Sequence, residues 1–190
     1  MIYSEGDVRE WIEQYMHPKR KEHALRTADR VEELARWWGL SVCTGRTAAL
    51  VHDICRDWSW DAMVQEAQKR NLPLSELEEH YPVLLHGPLA ACLYEAHFGA
   101  DKCVYDAVYY HTTGRPGMGP LEKCLFLADA TEEGRRYQGI DDLRTLAFRD
   151  LDAAVLASVD RAIPYLVKRS LPLHPLTVTL RNALLIEHRK

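Results

Sequence analysis

His23-Ala24-Leu25-Arg26-Thr27-Ala28-Asp29-Arg30-Val31-Glu32-Glu33-Leu34-Ala35-Arg36-Trp37-Trp38-Gly39 sets apolar or small residues at Ala24, Ala28, Val31, Ala35 and Trp38, in steps of four and three. This is the buried stripe of an amphipathic helix, and Gly39 ends it. The same spacing predicts helices over Ala48 to Ile54, Asp61 to Arg70, Leu89 to Phe98, Val104 to His111, Leu121 to Glu133, Leu143 to Lys168 and Val178 to Glu187. Asp7 to Met16, with Val8, Trp11, Ile12 and Tyr15 on one face, predicts a first helix that caps the others. Breaks are expected at Gly45, Leu72-Pro73, Tyr81-Pro82, Gly99, Gly114 to Pro120 and Leu171 to Pro175. No run alternates as strands do. The expected fold is all-α, a bundle of about seven to nine helices in a single domain spanning residues 1–190.

Composition narrows the function. The 190 residues are 47% apolar and 27% charged, as in ordinary water-exposed globular chains. No apolar run approaches the ~18 residues of a membrane span. Met1 to Asp7 lacks a basic stretch followed by an apolar core, so the expected location is the cytoplasm. A formal charge of −4 argues against bulk binding to a nucleic-acid polymer, which requires many neutralised phosphates, and leaves room for a small anionic substrate in a locally positive pocket. The five cysteines Cys43, Cys55, Cys92, Cys103 and Cys124 contain no C-x-x-C pair and are expected as mostly buried, reduced thiols.

Polar residues interrupt these apolar faces at His23, the adjacent pair His52-Asp53, His86, His111 and Asp129. Taken singly, each histidine reads as a satisfied structural group. Taken together, imidazoles and carboxylates are the ligands that suit iron, manganese or zinc with positions left for water and substrate. Neighbouring side chains on a helix diverge by about 100°, so Asp53 could reach a second metal or a water while His52 holds a first. Read from the residues alone, the expectation stops at a metal-assisted phosphohydrolase.

The order His23, His52-Asp53, Asp129 resembles the signature of the HD superfamily of phosphohydrolases, and His86 and His111 match members with expanded or two-metal sites. Arg20 to His23, Leu50 to Ile54, Leu84 to Gly87, His111 to Arg115, Leu121 to Lys123, Phe126 to Asp129, His174 to Thr177 and Arg181-Asn182 look like the bacterial YqeK-type branch, over roughly residues 17 to 185. The resemblance implies symmetrical cleavage of diadenosine tetraphosphate to two ADP. It implies iron as the metal, with a di-iron centre or another divalent ion such as manganese as alternatives. His23, His52, Asp53 and Asp129 would hold the principal metal. His86 and His111 would bind a second metal or contact phosphates, and with Asp53 they form the catalytic set, Asp53 orienting or deprotonating the water. Arg20, Arg135, His174 and Thr177 join His86 and His111 as substrate contacts. Arg56 stands where related proteins usually carry lysine, exchanging a point charge for a planar fork.

Arg56, Arg115 and Lys123 are further candidates to hold polyphosphate, and the glycine-rich segment after His111 could approach a ligand or only connect helices. His17, His80, His97 and His188 are given no role. Trp37, Trp38, Trp58 and Trp60 are read as core or interface in preference to base stacking. No Gly-Tyr-Pro follows His52-Asp53, which sets aside the cyclic-dinucleotide branch. Two alternatives stand beside the leading one: the same centre acting on mononucleotides, and a nucleotide sensor without turnover. The expected partners are the nucleotide substrate and its ADP product, with no membrane and with a homodimer left open.

Overall fold

In the computed structural model, residues 3–187 are described; His188 and the start of the Met1 to Asp7 segment lie outside them. Ser4 accepts from the Asp7 amide while the Asp7 carboxylate takes the Ser4 amide at 2.6 Å, and this reciprocal cap starts α1, Glu5–Ile12. Pro18, whose missing amide proton costs nothing in a first turn, opens α2, Pro18–Trp37. Ser41 caps α3, Val42–Val51, and Ser59 caps α4, Trp60–Lys69. Then come α5, Glu76–His80, a 3-10 turn over Pro82–Leu85, α6, His86–Phe98, and α7, Lys102–Tyr110, capped by Asp101. The chain closes with α8, Pro120–Thr131, α9, Ile140–Leu146, α10, Leu151–Lys168, and α11, Pro175–Glu187.

The all-α fold is as expected, and no strand occurs among the described residues. Among the described residues there are eleven α-helices and a 3-10 turn instead of seven to nine helices. One reason is Leu143 to Lys168, which is two helices: Asp150 leaves helical geometry at φ −155° and its carboxylate accepts from the Ala153 amide, capping α10 anew. Another is α5, built on a Ser75–Glu78 capping box in a stretch with no apolar period. Gly45 is not a break. It lies inside α3, where an added Cβ would come within 2.7 Å of Val31 Cγ1, so it lets α3 close on α2.

The stripe Ala24, Ala28, Val31 and Ala35 is buried, as its spacing predicts; Trp38 is half-buried and donates its indole N–H to the Ala147 carbonyl. α2 packs along α3, and α8 lies across α2 and α7, bringing His23, His52-Asp53, His111 and Asp129 into one core. Only Cys55 and Cys124 are buried; Cys43 and Cys103 are exposed and Cys92 is half-buried, correcting the expectation for most of the thiols. Burial pushes the Cys124 thiol up to about 12, which keeps it protonated. Among the described residues no helix is long and apolar enough to cross a membrane.

Candidate metal centre

Helix ends place the polar residues. His23 lies in the second turn of α2, His86 opens α6, His111 follows the last residue of α7, and Asp129 sits in the last turn of α8. His52 caps the end of α3 and Asp53 continues into a turn. The pair therefore does not diverge as on a continuing helix: His52 Nε2 lies 3.6 Å from Asp53 Oδ2. Gly87 does for α6 and α7 what Gly45 does for α2 and α3. A Cβ there would meet the backbone oxygens of Val108 and Tyr109 at 3.0 and 3.1 Å, so any larger residue would push α6 and α7 apart by a few tenths of an ångström where His86 approaches His111.

All four imidazoles spend Nδ1 outwards. His52 Nδ1 donates to the Ala49 carbonyl at 2.6 Å, His86 Nδ1 to Val83 at 2.5 Å and His111 Nδ1 to Val108 at 2.7 Å. His23 Nδ1 faces the buried Glu132 carboxylate at 3.3 Å. With the proton on Nδ1, every Nε2 presents a lone pair to the centre. The Nε2 atoms of His23 and His52 are buried with no hydrogen-bond partner, although His23 Nε2 is only 3.1 Å from Asp129 Oδ1. His86 and His111 turn their Nε2 atoms towards each other at 3.0 Å. Lone pairs opposed in this way require a positive charge among them.

Asp53 divides the centre. Its Oδ2 faces His52 at 3.6 Å and His23 at 3.8 Å, with Asp129 beyond; its Oδ1 faces His86 at 3.3 Å and His111 at 3.7 Å. Donors held roughly 2.1 Å from one ion are about 3 to 3.4 Å apart; the Asp53 pairs, at 3.3 to 3.8 Å, need to close by only a few tenths of an ångström on an ion, and four imidazoles with two carboxylates suit iron, manganese or zinc. The electrostatics agree. Burial alone would raise the Asp53 and Asp129 carboxyls, but the surrounding imidazoles and, at Asp129, Arg135 hold both well below the usual range. Burial holds the His52 imidazole down at about 4 and also lowers His86, whereas at His111 the Asp53 carboxylate outweighs burial and raises it.

Residues 20–134 match the HD domain. The chain belongs to the HD-domain family. It is 33% identical to the "Bis(5'-nucleosyl)-tetraphosphatase, symmetrical" of Bacillus subtilis (strain 168), across 90% of this chain and 92% of that one. The protein of the same name from Staphylococcus aureus (strain NCTC 8325 / PS 47) is 31% identical, across 86% of each. A crystal structure described as a predicted HD superfamily hydrolase involved in NAD metabolism from Clostridium acetobutylicum superposes with a TM-score of 0.93 at 31% identity, over the full length of both chains.

The cations around this HD centre differ in how far they are committed. Arg20 binds Asp53 Oδ2 at 2.7 Å and Asp57 at 2.8 Å, and Arg135 binds Asp129 Oδ1 at 2.6 Å. Arg56 lines the cleft above the centre and, among the described residues, pairs with no carboxylate. Arg115 and Lys123 do not line that cleft: Arg115 is tied to Glu122 and Asp106, and Lys123 to Asp152. Thr177 is buried with its hydroxyl donated to the Thr113 carbonyl, and His174 lines an adjoining cavity. None of Trp37, Trp38, Trp58 and Trp60 lines the cleft.

Two residues escaped the sequence reading. Glu132, behind His23, also accepts from Arg26 Nε at 2.6 Å and from the Gly134 amide. Thr112 Oγ1 lies 3.1 Å from Nε2 of both His86 and His111. Glu132 stands in an acidic pair at a helix end, and Thr112 in a polar turn, where either residue type is commonplace.

Proposed function

We propose that the chain, acting as one HD-type domain over residues 1–190, hydrolyses diadenosine tetraphosphate at its central anhydride to give two ADP. The observation that carries this reading is the Asp53 carboxylate set between two groups of imidazoles whose Nδ1 atoms are all committed outwards. In the proposal His23, His52, Asp53 and Asp129 would hold one divalent ion, and His86 and His111, with Asp53 beside them, would hold a second. Iron is the proposed metal and manganese the alternative; the donor set suits either. Bound there, the ions supply Lewis acidity, lowering the pKa of water and offsetting charge on the phosphoryl oxygens. The names of the relatives supply the substrate.

The chain's own groups divide the rest of the work. Water attacks an inner phosphorus, the bridging P–O bond to the other inner phosphorus breaks, and one ADP departs. Asp53, held ionised by the surrounding imidazoles, orients the water. Arg20 and Arg135 brace Asp53 and Asp129 from the side that faces solvent, while Arg56 has its donors free for the phosphates. Thr112, beside His86 and His111, offers a hydroxyl donor to the departing phosphate. A cytoplasmic location suits the unpaired buried thiols Cys55 and Cys124.

The test is metal content measured together with turnover. His52→Ala and Asp53→Ala are each expected to lose bound metal and hydrolysis together; full turnover in either variant would sink the assigned centre.

A further inference from the structure

Beside the centre lies a cavity of about 400 Å³ that the mechanism above leaves unused. It is assembled from the Pro73–Ser75 segment, α5, the 3-10 turn, the end of α7 and the start of α11. Leu84 and Thr112 line both this cavity and the cleft over the centre, so the two are continuous on the His86 and His111 side. Its walls are those of a base pocket. Leu74, Leu84 and Pro88 supply apolar surface, and Tyr109 and Tyr110 supply rings. Tyr109 stacks on Tyr105 with centroids 5.7 Å apart, and Arg115 covers Tyr110 at 4.4 Å, so both rings are fixed in place.

Its polar groups set the polarity of what can enter. Glu78 accepts from the Ser75 hydroxyl and amide at 2.6 and 2.7 Å, which keeps the carboxylate charged. His174 Nδ1 accepts from the Leu176 amide, leaving the Nε2 proton to face Glu78 at 3.5 Å. A carboxylate at this end repels phosphate and accepts from the amino group of a base.

The other side of the centre is different. Arg20 and Arg135 line both the cleft and a further cavity of about 590 Å³ next to His23. That cavity carries Lys19, Arg26 and His17 as well, with the carboxylates of Asp57 and Glu132 among four cations, and, among the described residues, no aliphatic or carbocyclic side chain. It suits phosphate and ribose and lacks the apolar walls that enclose the other pocket.

We propose that the aromatic cavity holds one nucleoside of the substrate and that the cationic cavity grips only phosphates, so the site reads a single nucleoside. This rests on the hydrolytic reading above and adds to it a direction: base against Tyr109 and Tyr110, the phosphates crossing the centre past Thr112, and the second half over Arg26 and Lys19. The second nucleoside is then dispensable. Adenosine 5′-tetraphosphate plus water is cut at the same central anhydride, giving ADP and pyrophosphate.

Two measurements on the manganese-loaded protein test this. In the first, equilibrium binding of ADP is compared with that of pyrophosphate in the wild type, Tyr109→Ala and His174→Ala. ADP is expected to bind the wild type at least tenfold more tightly, and Tyr109→Ala to cut that ratio by about tenfold, the scale of one base–aromatic stack. A ratio near one in the wild type, or a ratio unmoved in both variants, overturns the pocket. In the second, kcat/KM for adenosine 5′-tetraphosphate is set against that for diadenosine tetraphosphate. A value within tenfold supports one-sided reading, and a larger deficit shows that the second nucleoside is read. If the wild type cleaves neither compound the hydrolytic reading fails, and the ADP to pyrophosphate ratio still decides the pocket.

Discussion

A single hydrogen-bond pattern organises the centre: each imidazole gives its Nδ1 proton away and keeps Nε2 for the interior. Three of the four give it to a backbone carbonyl, and His23 gives it to Glu132. A carboxylate behind a ligating histidine raises its basicity and fixes its ring. Glu132→Gln is therefore expected to weaken the ion held with His52 and Asp129 by about 10- to 100-fold, leaving the other ion's affinity within a fewfold, as calorimetric metal titration would show. Equal weakening of both ions would contradict the assignment. Arg56 makes the opposite kind of contribution. Its guanidinium serves no carboxylate, so Arg56→Ala is expected to raise KM for diadenosine tetraphosphate by about tenfold, the scale of one charge-assisted bond to phosphate, with little change in kcat. A large fall in kcat at constant KM would place Arg56 at the reacting atoms instead. All six clustered residues were legible in the sequence because histidines and aspartates are conspicuous in apolar faces. Glu132 and Thr112 were not, since their burial and aim depend on which helix end meets which.

At the scale of elements, the apolar period located nearly every long helix, and the failures share a cause. Leu143 to Lys168 keeps an apolar period through a break that is made by a single Asp150 cap. α5 has no period to find and is held by its capping box. Gly45 reads as a breaker in sequence, but its missing Cβ is an interhelical contact, which local propensity does not reveal. Gly87 matters more for the site. Gly87→Ala would set a methyl about 3 Å from two backbone oxygens of α7, which cannot swing aside as a side-chain tip can. Overpacking of this kind costs about 1–3 kcal/mol, and helix propensity returns less than 1 near a first turn, so a net loss of about 1–2 kcal/mol is expected in denaturant unfolding. The same change separates His86 from His111, so affinity for the second ion should fall along with stability. A stable variant with both ions retained would show that α6 and α7 need no such close approach.

For the whole molecule, the sequence showed a mildly acidic chain and argued against bulk binding to nucleic acid, but it could not show where the positive charge gathers. Lys19, Arg20 and Arg26 from the start of α2 meet Arg135 from beyond α8 beside His23. Those segments are more than a hundred residues apart, so this concentration of cations exists only once the bundle has closed. The same closure buries charged and lone-pair-bearing groups that repel one another without a cation. Removing metal with a chelator is accordingly expected to lower Tm by about 10 °C, since ions bound at 1,000 times their Kd add roughly 4 kcal/mol and a chain of this size moves about 2–4 °C per kcal/mol. Restoring manganese or iron should restore the transition, which differential scanning calorimetry would follow; an unchanged Tm would mean that the cluster holds no ion in the folded protein.

The most direct test of the central claim is chromatography of the products formed from diadenosine tetraphosphate by the purified, iron-loaded protein. Cleavage at the middle anhydride predicts ADP as the sole nucleotide product. AMP together with ATP would mean that the cut falls elsewhere on the polyphosphate, and no product at all would contradict the hydrolytic reading itself.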